Sequence, residues 1–102
     1  MESLDIKSLD MTQTTVNPYT GKAYTLSTWY NPRRALYETV ISFYMNDGSG
    51  HYITIPIQRY KMRKEAIGGH NAWAMALRQE DFAVRNVDTA KLYIFTREGS
   101  II

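Results

Sequence analysis

A chain of 102 residues, 44% hydrophobic and 22% charged, has the size and composition of one globular domain. Cysteine is absent, which excludes disulfides, thiolate catalysis and cysteine-type zinc sites. The net charge of +2 names no partner by itself, but residues 59–65 hold Arg59, Lys61, Arg63 and Lys64 against Glu65, a local +3 that leaves −1 for the remainder.

Residues 1–18 read as a flexible N-terminal arm and 19–102 as the single folded domain. The arm is polar, lacks a sustained period and ends at Asn17-Pro18, a turn signal. Only a strand or a partner would order it. Residues 1–5 are acidic and lack the apolar run of a signal peptide. No stretch approaches the roughly 18 apolar residues of a bilayer span, so the expectation is a cytoplasmic protein with no membrane contact.

Residues 19–22 form a turn, and 23–30 are rich in β-formers that alternate loosely, which predicts a strand. Asn31-Pro32 interrupts it and leaves Arg33-Arg34 in or beside a loop. The clearest element is a hairpin. Residues 35–45 are dense in β-branched and aromatic types, residues 46–50 are turn chemistry, and the return segment 51–58 sets Ile53, Ile55 and Ile57 on one face. Pro56 places that return strand at an edge or a bulge, where it offers backbone groups to another strand, including one from a second copy.

From Tyr60 the pattern turns helical. Gly68-Gly69 reads as a stop, with Asn71 capping a second helix from Ala72 to about Glu80. Residues 82–85 fit either a continued helix or a strand, and 91–97 read as a strand. The resulting fold class is α+β, a mostly antiparallel sheet of about four strands with a helix, or a short helix plus a helix, packed on one face.

Standard catalytic sets are missing. His51 and His70 stand 19 residues apart with no cysteine and no His-x-x-x-His pair, and the nucleophile-elbow, phosphate-loop and dinucleotide fingerprints are absent. No cofactor or metal is implied. Asp47 and His51 flank the hairpin turn, where an acid–base pair would have to approach, and a plain solvated turn explains them more simply. The eight tyrosines, with Trp29 and Trp73, supply rings suited to interfaces as well as to strands and core. Short length, lack of cysteine and tyrosine-rich composition resemble, in character, accessory proteins of viruses and mobile elements.

These features predict a non-enzymatic protein that covers or modulates a macromolecular partner, for instance as inhibitor or adaptor of a nucleic-acid-handling machine. A protein partner is favoured. Its contacts are expected from Arg33 and Arg34, from Asp47 and Tyr52 about the hairpin tip, and from Arg59, Tyr60, Lys61, Arg63, Lys64, His70 and Asn71. The alternative is direct binding of single-stranded nucleic acid or DNA by the same basic and aromatic residues. A third reading is a small histidine-dependent enzyme.

Overall fold

The computed structural model describes residues 7–45 and 48–97. Four strands, β1 (Asp10–Val16), β2 (Ala23–Asn31), β3 (Leu36–Tyr44) and β4 (Tyr52–Tyr60), form an antiparallel meander in chain order. Helix α1 (Arg63–Ala76) packs on one face of this sheet. β5 (Phe82–Arg85) and β6 (Leu92–Phe95) pair as a separate hairpin that adds Val84 and Phe95 to the same core. The architecture is the α+β arrangement expected from the sequence.

Strand alternation sorts the sheet into two faces. Toward the helix, cross-strand rows bring together Gln13, Leu26, Ile41 and Ile55, then Met11, Thr28, Thr39 and Gln58, then Tyr30, Tyr37 and Tyr60. Leu26, Ile41, Phe43 and Ile55 are fully buried beneath α1 and the hairpin, each contributing about 1.5–3 kcal/mol through burial. Tyr24 anchors an aromatic cluster, edge-on to Phe43, Phe82 and Phe95, while Phe82 and Phe95 stack with centroids 4.7 Å apart.

Two expectations require correction, and one left open is resolved. Much of the supposedly flexible arm is strand β1, paired residue for residue with β2 from Asp10↔Trp29 to Val16↔Ala23. Its Thr-rich sequence has β propensity, but its core face carries Gln13 and Thr15 in place of the apolar residues that mark a strand. Residues 1–6 lie outside the described part. The second correction concerns Gly68-Gly69, which does not stop the helix: α1 runs unbroken through both. Gly69 is required there because the ring of Tyr60 occupies the space a Cβ would take. Residues 82–85, left open between helix and strand, are strand β5.

Pro56 marks both an edge strand and a bulge. The β3–β4 register shifts between Thr39, opposite Gln58, and Val40, opposite Pro56, so Ile57 is the extra residue. Without that insertion the parity set by Ile53 and Ile55 would send Arg59 into the core and Tyr60 outward. The bulge reverses them: Tyr60 is buried and Arg59 lies on the open face.

Candidate partner-binding surface

The face of the sheet away from α1 is a nearly complete grid. Its rows are Thr14, Thr25, Ser42 and Thr54; Thr12, Ser27, Val40 and Pro56; and Asp10, Trp29, Glu38 and Arg59. Beyond the first row, Val16 and Ala23 on one pair of strands and Tyr44 and Tyr52 on the other close the grid at the hairpin end. No helix or hairpin covers this face among the described residues. Short hydroxyl side chains bond across strands, Thr12 Oγ1 to Ser27 Oγ at 3.2 Å and Ser42 Oγ to Thr54 Oγ1 at 3.0 Å, which keeps the middle of the grid flat and neutral.

The two ends differ in chemistry. At the hairpin end Tyr44 and Tyr52 form a tilted cross-strand pair with centroids 4.7 Å apart, yet they remain 63% and 52% exposed. Val16 and Tyr19 are about half exposed at the same end. At the opposite end the β2–β3 turn and the β4–α1 connection meet, because Tyr37 on β3 pairs with Tyr60 on β4. That meeting gathers Arg33, Arg34, Arg59, Lys61, Arg63 and Lys64, two runs separate in sequence.

Their states are unequal. Arg59 donates through Nε to Glu38 at 2.6 Å and through Nη1 to Asp88 at 2.9 Å, so it buckles the β5–β6 turn to the sheet. Arg34 approaches Glu38 at 3.4 Å, and Asn31 Nδ2 donates to the same carboxylate. Burial alone would raise the Glu38 pKa, but these donors and the neighbouring guanidinium charges hold it below the usual carboxylate value. Arg63 Nε reaches the Ser8 carbonyl. Arg33, Lys61 and Lys64 are exposed and make no ion pair among the described residues.

Two predicted contact residues are interior. His70 is 1% exposed, and Tyr60 is buried with its hydroxyl lacking a hydrogen-bond partner of good geometry. His70 Nε2 lies 2.8 Å from Gln13 Oε1, and Nδ1 lies 2.8 Å from Thr28 Oγ1, which is 2.6 Å from Thr39 Oγ1. A carboxamide oxygen only accepts, so the proton sits on Nε2. Thr28 then donates to Nδ1, and Thr39 donates to Thr28. Burial pushes the imidazole pKa below its ordinary value. Both ring nitrogens are thus hydrogen-bonded beneath the helix, and no acidic side chain bonds the ring among the described residues. Asn71 is exposed on α1, Tyr52 belongs to the aromatic end, and Asp47 lies outside the described residues.

Among the described residues no group of three or more His, Asp or Glu is placed to hold a metal ion. A groove of about 340 Å³ between α1 and β4 is lined by Gln58, Gly69, Ala72, Trp73 and Ala76. Its one polar side chain, Gln58, already accepts from Trp73 Nε1 at 2.8 Å. Tyr44 is an exposed ring outside the expected contact set, paired with Tyr52 across the hairpin turn. No helix of the described residues is long and apolar enough to cross a membrane. No family model matches the chain, and no curated protein or solved structure is similar to it.

Proposed function

We propose that this is a non-catalytic binding protein that covers a surface of a protein partner with the open face of its sheet. The observation that supports this reading is the aromatic end: two tyrosines and a valine held on rigid strands and more or less half exposed. Exposed rings on a fixed scaffold give large contact area at little entropic cost, the property of interface anchors. The neutral hydroxyl grid extends that contact, and Arg33, Lys61 and Lys64 steer the complex toward an acidic neighbour surface. Inhibition or adaptation of the partner follows from occupying its surface.

The test is capture of the partner from native host extract, followed by measured affinity for the purified pair. Tyr44→Ala combined with Tyr52→Ala is expected to weaken binding at least tenfold with the circular dichroism unchanged. Undiminished affinity in that variant sinks the reading.

One observation favours direct nucleic-acid binding instead, the convergence of two basic runs at one end. Single-stranded binding uses rings interleaved with cations. Here the exposed tyrosine pair and the exposed cations stand at opposite ends, separated along β3 from Tyr37 to Tyr44 by about 23 Å.

A further inference from the structure

The two edges of the four-stranded sheet are treated differently. β4 carries Pro56 and the bulge, and Val87 N donates to Pro56 O at 2.9 Å while Asp88 holds Arg59 beside it. That edge is closed along part of its length. β1 has no such protection among the described residues: its register with β2 is regular, it contains no proline, and nothing from Met11 to Val16 is charged. Edge strands left in this state are templates for pairing.

The free backbone groups can be assigned. Leu9 O accepts from Tyr30 N, and Asn17 N donates to Lys22 O. The ladder alternation between these two points commits the odd-numbered residues to β2, so Asp10, Thr12, Thr14 and Val16 turn their N–H and C=O groups outward. All four are exposed. Arginines reach only the ends of the edge, Arg63 at Ser8 O and Arg78 at Val16 O.

We infer that β1 pairs antiparallel with β1 of a second copy of this chain about a two-fold axis at Gln13. In that register Thr12 faces Thr14 of the other copy, Met11 faces Thr15, and Asp10 faces Val16. No like charges meet along the strand, and threonine pairs are among the favourable cross-strand partners. The central threonines exchange about four hydrogen bonds. Closure also favours a second copy: Pro56, the bulge and the Val87 contact interrupt the β4 edge, which disfavours head-to-tail pairing of β1 into a fibre, and the two-fold contact ends at a dimer. The axis is normal to the sheet, so the open faces of both copies become continuous. Strand pairing alone buries less than the roughly 1,000 Å² of a tight interface, which makes the dimer a weak one.

Sedimentation of the purified chain without any partner, from about 1 μM to 1 mM, tests this independently of the binding reading. The expected result is a concentration-dependent doubling of mass that Thr12→Pro abolishes. Proline there removes an outward N–H and the hydroxyl bond to Ser27, and leaves the backbone ladder to β2 intact. Gln13→Cys gives a second readout in a chain with no native cysteine. Gln13 would sit opposite its own copy at about 4.5 Å between Cα atoms, within disulfide reach. That variant should oxidise to a covalent dimer faster than Ser49→Cys. Monomer at every concentration, a dimer that persists in a folded Thr12→Pro variant, or Gln13→Cys cross-linking no faster than the control overturns the inference.

Discussion

Adjacent glycines in one helix have opposite roles, and substitution should separate them. Gly68 faces open space, whereas a Cβ on Gly69 would run into the Tyr60 ring. Replacing an interior helical glycine by alanine ordinarily gains roughly 0.5–1 kcal/mol, so Gly68→Ala should raise the urea midpoint. For Gly69→Ala the steric term outweighs that gain, since overpacking costs about 1–3 kcal/mol, and the midpoint should fall. Equal effects at both positions would contradict the packing described. His70 carries a second prediction at this scale. Its folded pKa is lowered by burial, so the unfolded chain binds the proton more readily. Stability is therefore complete above the unfolded value of about 6.5 and declines as pH falls below it. Gln13, Thr28 and Thr39, the groups facing the ring, are all neutral, so no carboxylate offsets the loss. Denaturation midpoints between pH 7.5 and 5 should slope downward in the native chain and flatten in His70→Gln. Glu38, whose pKa is lowered, loses its contribution only at more acidic pH, as pH falls below about 4.3 toward its depressed folded value.

Two loops repeat a single device. Asn17 accepts from Tyr19 N and Thr20 N through Oδ1, and Asn86 does the same with Asp88 N and Thr89 N. In each loop the asparagine N–H donates to the lysine five residues on, Lys22 or Lys91. In each, the threonine hydroxyl accepts from that lysine's N–H. The residue before the lysine is left-handed in both, Gly21 at φ +74° and Ala90 at φ +65°. Only glycine takes that conformation freely, and an L-residue costs about 1–2 kcal/mol there. Ala90→Gly should therefore stabilise by about 0.5–1 kcal/mol, and Gly21→Ala should destabilise by a similar amount in thermal melts. Asn17 does more than turn the chain: its Nδ2 donates to Leu77 O and Gln79 O, closing the carbonyl end of α1. The β2, β3, β4 and β6 strands were legible in sequence because their apolar alternation is local. β1 was not, because two of its three inward residues, Gln13 and Thr15, are polar, and Gln13 finds its partner, His70, fifty-seven positions away. The helix break was misread because the meaning of Gly69 lies in Tyr60, a residue on another element. The Asn-x-x-Thr-x-Lys spacing shared by residues 17–22 and 86–91 was a signal in plain view.

Across the whole molecule, the sheet carries an aromatic end and a basic end with a neutral floor between them. Sequence pointed to most of the residues but not to their distribution. Arg33-Arg34 and Lys61–Lys64 join only through the Tyr37↔Tyr60 pairing, and the bulge that turns Arg59 outward and Tyr60 inward is a single inserted residue. Arg59 is also spent within the fold on Glu38 and Asp88, which no charge count reveals. The separation of the ends yields a prediction about salt. Exposed ion pairs are worth about 0.2–1 kcal/mol and are screened beyond the Debye length. Lys61→Glu with Lys64→Glu should thus weaken partner binding several-fold at 50 mM salt and have little effect at 0.5 M. Truncating Tyr44 and Tyr52 removes apolar contact that salt does not screen, so its cost should be the same at both concentrations. The native chain should lose affinity only modestly over this range. A polyanion held through many phosphates loses orders of magnitude instead, because bound counterions must be recaptured as it dissociates. A steep native slope, abolished by the lysine reversals and untouched by the tyrosine truncations, would transfer the function to the basic end and to nucleic acid.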